Sequence, residues 1–397
     1  MVRVNIRRKQ NKRLGIYIHI PFCRRKCAYC DFYSYAPRDP RVYESYADAV
    51  IAHMRSYRTV GADYAPDTVY IGGGTPTVMP QEQMLRIIRG LRSSFRLQKS
   101  AEFSMECNPA TVDYDALRRY RRAGVNRLSI GMQSANENEL KVLGRIHKFN
   151  DVRYTVKAAR EAKFENISLD LMYGIPYQTF DSWAETLRRA VSLKPEHISL
   201  YNLKLEEGTP LYNNAGAYQF PEDEMEFAMY SHAIAYLAQN GYRQYEISNF
   251  ARPGFECRHN LKYWHCEEYL GFGPSAHSYF ADVRFSFKRS ISNYIKNVIG
   301  SARDELTDEY EHIPLRERLG EYIMLRMRLN EGIDGKEFFR LFGRDFEMTY
   351  GGKLLKYVKG GFIDASNGVY RFTTAGMFVS NYILSDILDF DADGHFQ

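Results

Sequence analysis

Cys23, Cys27 and Cys30 lie within eight consecutive positions, "CRRKCAYC", while the other three cysteines, Cys107, Cys257 and Cys266, are far downstream. Their i, i+4, i+7 spacing would also suit one face of a helix. Pro21 stands just ahead, however, and Arg24, Arg25 and Lys26 fill the first gap with charges that a packed segment would struggle to bury. A redox couple wants two cysteines in C-x-x-C, and structural zinc needs a fourth donor, for which Asp31 matches soft thiolates poorly. A cubane iron–sulfur cluster accounts for the count, because three thiolates hold three irons and leave the fourth open to a small chelating ligand. The flanking cations would stabilise the cluster's negative charge and raise its potential, with plain solvation of those side chains as the alternative.

The elements that must position this loop read as repeated βα units. Strands are expected at "GIYIHI" (15–20), "TVYIGG" (68–73), "EFSMEC" (102–107), "RLSIGMQ" (127–133), "ISLDLMYG" (167–174) and "HISLYNL" (197–203). Between them lie stretches of helical period such as "PQEQMLRIIRGLRSSF", opening on Pro80, and "DSWAETLRRAVSL", with Asp181 as N-cap candidate. The distinctive polar segments all follow strands: "CRRKCAYC", "GGGTP", "ECNP", "GMQS" and "DLMYGIP". In a barrel of βα units those ends converge on one mouth, where active sites sit. Glu106, Gln133, Arg145 and Asp170 fall at or soon after such ends, each with capping or ion pairing as its alternative role. "GGGTP" could equally be a tight turn, and without a following G-K-[ST] it is no phosphate loop.

With 397 residues, 45% hydrophobic and 26% charged, the chain is an ordinary globular sequence large enough for two domains. The expected division is 1–300 for the barrel and 301–397 for a helical module with a small β-wing, signalled by "GGFID", "SNG" and "VYRFT". A net charge of +6 suits an anionic ligand but is too small for its length to imply nucleic acid. The N-terminal apolar run is short and carries His19 and Pro21, so neither a signal peptide nor a membrane span is expected; six cysteines make no disulfide framework, and a cytoplasmic setting follows.

C-x3-C-x2-C with an aromatic, Tyr29, before the last cysteine resembles the radical S-adenosylmethionine (SAM) proteins. The resemblance implies a partial (βα)6 barrel in the α/β class, a 4Fe-4S cluster on Cys23, Cys27 and Cys30, and SAM bound at the open iron and cleaved there to a 5'-deoxyadenosyl radical. It further implies Gly73, Gly74 and Thr75 as contacts to the methionine end. "YIHIPFC", "GGGTP", "E-x-NP", "GMQS" and "DLMYGIPYQT" are similar to the oxygen-independent coproporphyrinogen III oxidase-like group, over essentially the whole chain. This implies Tyr17, Glu106, Gln133, Arg145 and Asp170 as SAM contacts, with Tyr29 near the cluster. The oxidase branch carries a fourth cysteine just after the motif and an N-terminal extension, whereas this chain has Asp31 and Phe32 there and reaches the motif after 22 residues.

A second constellation, "CRHNLKYWHCEEYLGFGPSAHS", contains "HNLKYW", matching the H-N-x-x-Y-W motif of the group's haem-chaperone branch. His259 offers an imidazole for haem iron, and Tyr263 and Trp264 offer flat apolar area to a porphyrin. A zinc site from Cys257, His259, His265 and Cys266, or a satisfied surface histidine, are the alternatives; His277 is expected to pack in the barrel and Cys107 to be a buried small residue. The expected function is therefore that of a haem chaperone carrying a 4Fe-4S cluster and SAM, with haem and haem-acceptor apoproteins, including membrane-bound respiratory proteins, as partners. Coproporphyrinogen oxidation, or another radical reaction on a tetrapyrrole, is the rival.

Overall fold

The computed structural model describes residues 12–59, 63–300 and 303–388. All six expected strands form: β1 (Gly15–Ile20), β2 (Thr68–Gly73), β3 (Glu102–Cys107), β4 (Arg127–Gln133), β5 (Asn166–Tyr173) and β6 (His197–Asn202). They pair in parallel and in sequence order, as right-handed helical crossovers require. The helices are α1 (Arg41–Ser56), α2 (Gln81–Ser94), α3 (Tyr114–Ala123), α4 (Glu137–Val142), α5 (Phe149–Glu161) and α6 (Phe180–Ser192). Met84, Ile87, Ile88 and Leu91 form the buried stripe of α2 at i, i+3, i+4 and i+7, joining Ile18, Ile71, Ile130 and Leu169 of the strands in one core. Truncating one of these, for example Ile71→Ala, costs about 2–5 kcal/mol.

Two helix starts differ from expectation. Pro80 is the N-cap of α2 rather than its first helical residue. Thr179, not Asp181, caps α6: its hydroxyl accepts from the Ser182 N–H (3.2 Å) while the Ser182 hydroxyl accepts from the Thr179 N–H (3.1 Å). Asp181 lies in the first turn, where its charge complements the helix dipole instead.

The sheet also runs beyond the six strands. Tyr269–Phe272 pairs in parallel with the free edge of β1, and His277–Phe280, Val283–Phe287 and Thr307–His312 continue it in antiparallel fashion. Asn249–Ala251 and Arg243–Gln244 extend the β6 edge, giving a twelve-stranded open sheet. His277 opens one of the antiparallel strands and is exposed, not packed in the barrel as expected.

Beyond Leu315–Arg326, helices Gly335–Phe342 and Phe346–Lys359 pack with a three-stranded antiparallel sheet of Ile333–Asp334, Val369–Phe372 and Ile363–Ser366. Asn367 (φ 56°) and Gly368 (φ 74°) make the tight turn of its hairpin, the geometry that Asn-Gly favours. Phe378 carries this module onto the barrel side, 5.2 Å from the Phe227 ring. Among the described residues no helix is long and apolar enough to cross a membrane.

Candidate cofactor site at the barrel mouth

The strand ends surround a cavity of about 280 Å³ lined by Cys23, Cys27, Cys30, Tyr29, Gly73, Gly74, Thr75, Glu106, Gln133, Arg145 and Asp170. Tyr17 lies outside it: its hydroxyl bonds His19 Nδ1 (2.9 Å) and its ring stacks on Tyr70. Cys107 is buried as expected, and it also lines the cavity.

The cysteine loop contains no helix, so the helix-face alternative fails. Backbone bonds tie it down: Cys23 N–H donates to the Tyr35 carbonyl (3.1 Å), Ala28 N–H to Leu143 (3.0 Å), and Leu211 N–H to Ala28 (2.8 Å). Side chains reach the sulfurs from the barrel, with Thr75 Oγ1 3.6 Å from Cys23 Sγ and Arg145 Nη1 donating to Cys27 Sγ at 3.6 Å. The three thiols face one space without converging on a point. Among the described residues no three His, Cys, Asp or Glu side chains form a metal-ligating group. The donor set nevertheless suits a three-thiolate cluster. Asp31 lines the neighbouring cleft instead and stands 3.9 Å from Arg289, and burial pushes the Cys30 thiol up to about 11, so a cationic metal is needed to hold it as thiolate.

The glycine segment is shaped by its neighbours. Gly73 has φ 108°, and a Cβ there would lie 2.5 Å from the His19 ring; one on Gly74 would lie 2.7 Å from the Phe22 carbonyl. Gly73 N–H donates to Glu106 Oε2 (3.0 Å) and the Tyr70 hydroxyl to Oε1 (3.1 Å). Burial, then the charge of Asp170, pushes the Glu106 carboxyl up to about 7. Asp170 is raised by burial too, although the Ser129 hydroxyl donates to it (3.0 Å). Two carboxylates in one buried wall attract a cation. Gln133 sits at a bulge in β4 with φ 62°, and Arg145 Nη2 donates to Asn108 Oδ1 and the Gly131 carbonyl, both at 2.7 Å. Asn108 Nδ2 then donates to Thr75 Oγ1 (2.9 Å), linking the arginine to the glycine segment. Sequence reasoning overlooked Asn108, although "ECNP" contained it; Ser129, Met172 and Tyr201 carried no signal beyond strand position.

The "HNLKYW" segment lies at the opposite end. It forms a short helix, Arg258–Trp264, across the N-terminal ends of the strands. Glu102, at the start of β3, accepts from the Arg258 and His259 N–H groups, both at 3.1 Å. His259 is 1% exposed; Nδ1 bonds Thr68 Oγ1 (2.9 Å), Nε2 bonds the Tyr263 hydroxyl (2.8 Å), and the ring stacks on Tyr70. Burial, then the charge of Lys262, lowers His259 to about 3, so the ring is neutral. As folded, it presents no free nitrogen to an iron. Tyr263 stands edge-on to Tyr269, and Trp264 is half-buried at the helix end. The zinc alternative is not assembled: Cys257 faces Glu102, while His265 Nε2 bonds Glu331 (2.8 Å).

Residues 17–190 match the radical SAM superfamily and residues 313–379 the HemN C-terminal domain. A protein named heme chaperone HemW from Bacillus subtilis is 36% identical over 94% of this chain and 98% of its own length. Its namesake from Lactococcus lactis is 31% identical over 94% and 96%. Among solved structures, coproporphyrinogen III oxidase (HemN) from Escherichia coli, described as a radical SAM enzyme, superposes with a TM-score of 0.83 over 95% of this chain and 90% of that one. At 23% identity that likeness is one of fold. With its three-thiol mouth and its match to these relatives over nearly their whole length, the chain belongs to the radical SAM superfamily and, within it, to the family of the heme chaperone HemW proteins.

Proposed function

We propose that the protein is a haem chaperone: it binds haem, carries a 4Fe-4S cluster and SAM at the barrel mouth, and passes haem to acceptor proteins of the respiratory apparatus from the cytoplasm. The observation that carries this reading is the single cavity joining the three thiols of the cysteine loop, a glycine segment and two carboxylates, in a chain whose relatives bear the name heme chaperone. Cys23, Cys27 and Cys30 would hold the cluster, which supplies one-electron chemistry and an iron open to a chelating ligand. Gly73, Gly74 and Thr75 would receive the methionine end, and Glu106 and Asp170 the cationic part of SAM, with Arg145 and Gln133 fixing the wall between them. Tyr29 would pack beside the cluster, and Tyr17 would act from behind through His19. The Arg258–Trp264 helix would frame the barrel floor; direct ligation by His259 requires its bonds to Thr68 and Tyr263 to open. We take 1–300 as the unit that carries the cluster and 301–397 as the module that packs on it.

The test is anaerobic reconstitution of the full chain followed by two assays. Added haem should give a stoichiometric Soret band that moves to an apo-acceptor on mixing. Coproporphyrinogen III, with SAM and a reductant, should give no vinyl product, because Asp31 and Phe32 stand where the oxidase branch has its fourth cysteine. Vinyl product, or haem that never leaves, would overturn the chaperone reading.

A further inference from the structure

Next to the thiol-lined cavity lies a larger cleft of about 660 Å³, between the cluster loop, the ends of β5 and β6, and the C-terminal module. Tyr29, Cys30, Phe32, Met172 and Tyr201 line both spaces, so the two are contiguous. The volume is that of a cofactor-sized site. Its walls set aromatic side chains among polar ones: Phe32 is 66% exposed and Tyr201 42% exposed, and Phe378 lines the cleft from the C-terminal module.

One wall carries a cation that makes no ion pair among the described residues, although Glu246 lies near enough to act on its charge. Arg328 donates through Nη2 to Asn381 Oδ1 (2.8 Å), but its Nε is buried with no hydrogen-bond partner, and it has no ion pair among the described residues. Burial lowers its pKa, the mark of a guanidinium short of counter-charge despite the nearby Glu246. Lys204, on the rim, is exposed and likewise unpaired among the described residues. The cleft's own carboxylates are engaged or peripheral: Glu226 accepts from Asn202 (2.7 Å), Asp31 faces Arg289 (3.9 Å), and Glu206 is exposed.

Other large cavities lack this combination. The 610 Å³ cavity beside His265 and Cys266 sets Glu267, Glu321, Glu331 and Glu337 against Arg318 and Arg326, an acidic lining that repels carboxylates. The 540 Å³ cavity near His53 has aromatic walls and no lysine or arginine.

We propose that haem docks in the 660 Å³ cleft, one propionate on Arg328 and the macrocycle against Phe32, Tyr201 and Phe378, beside the cluster loop and on the far side of the barrel from His259. The inference rests on the haem-chaperone reading and adds to it the place and the anchoring charge. A planar apolar ring with two carboxylates matches a cleft that combines aromatic side chains with one guanidinium lacking an ion pair and one exposed ammonium.

The test is haem titration of the anaerobically reconstituted full chain, read by the Soret band, for the unaltered protein, Arg328→Ala, Arg328→Lys and His259→Asn. Loss of the charge-assisted bond should weaken haem binding about ten- to hundredfold in Arg328→Ala, with partial recovery in Arg328→Lys and unchanged iron content in both. Haem dimethyl ester, which lacks the propionate charges, should bind the unaltered chain about as weakly as haem binds Arg328→Ala, and should lose nothing further in that variant. The comparison of ester with haem on the unaltered chain needs no altered protein to fold. Equal haem affinity in Arg328→Ala and the unaltered chain, or loss of the Soret band in a folded His259→Asn, would overturn the placement and leave the chaperone reading standing. No haem binding by the unaltered chain would overturn both.

Discussion

Both ends of the barrel are polar, yet they are built to opposite rules. At the floor, Glu102 caps the Arg258–Trp264 helix, Lys262 Nζ pairs with Asp67 (2.9 Å) and Glu267 (2.7 Å), and His197 bonds both the Ser168 and Tyr245 hydroxyls at 2.8 Å. A cavity of about 610 Å³ opens beside this helix at Glu267, but its carboxylates are paired inside the protein, Glu267 with Lys262 and Glu331 with Arg326. At the mouth, the thiols share a cavity without converging, Glu106 sits near neutrality, and Gln133 and Gly73 hold left-handed backbone. Polar residues at strand ends therefore do not by themselves mark a working site. A cavity shared by three thiols, with a buried carboxyl pushed up to about 7 in its wall, does, and that combination occurs where the cysteines are.

The comparison breaks most visibly through the cysteines. Replacing any one of Cys23, Cys27 or Cys30 by Ala should take a reconstituted chain from about four irons to nearly none, by iron assay, with its unfolding midpoint in the metal-free form little changed. At the floor the effect should be reversed in kind. Lys262→Ala leaves the buried Asp67 with only Arg258, 3.6 Å away, and should cost up to about 3–5 kcal/mol in urea unfolding, while iron loading persists under folding conditions; loss of iron with intact stability would erase the distinction. Gly73→Ala should be milder, about 1–3 kcal/mol of backbone strain, and should weaken SAM binding in calorimetry because the glycine segment must move away from His19.

The smallest effect is a pH slope. Glu106 has its folded pKa raised from 4.5 to about 7, so the native state holds the proton that the unfolded chain releases. Stability of the metal-free protein should therefore fall as pH rises from about 4.5 through about 7. Glu246, also pushed up to about 7 by burial, contributes in the same sense. Glu106→Gln should remove its share of the slope in thermal melts and leave that of Glu246. SAM affinity should run the other way, strengthening as pH rises through about 7, since a charged Glu106 is what a cationic ligand meets.

Much of this was legible in the chain itself. β1 to β4 begin and end where their apolar runs do, because "GIYIHI" or "RLSIGMQ" between polar segments leaves a buried parallel strand little latitude. Tyr269–Phe272 went unread: "YLGF" is four residues long, and its place beside β1 depends on pairing across some 250 positions, which no local pattern carries. The mouth residues were legible because most lie in the C-terminal part of a strand or soon after it. The H-N-x-x-Y-W helix reads two ways for one physical reason. An imidazole and two aromatic rings suit a porphyrin, but they suit equally a plug in which His259 bonds Thr68 and stacks on Tyr70. Only burial separates the two. Arg328 gave no sign in sequence, since its lack of an ion pair in the cleft wall is a property of the fold.

The most direct test of the central claim is the hyperfine spectrum of the dithionite-reduced, reconstituted protein mixed with SAM carrying 15N in its amino group. The account predicts coupling between that nitrogen and the cluster in the unaltered chain, and the same coupling in His259→Asn, because His259 lines no part of the mouth and reaches it only through the Tyr70 ring that stacks on it. A fully iron-loaded protein that shows no 15N coupling would contradict it.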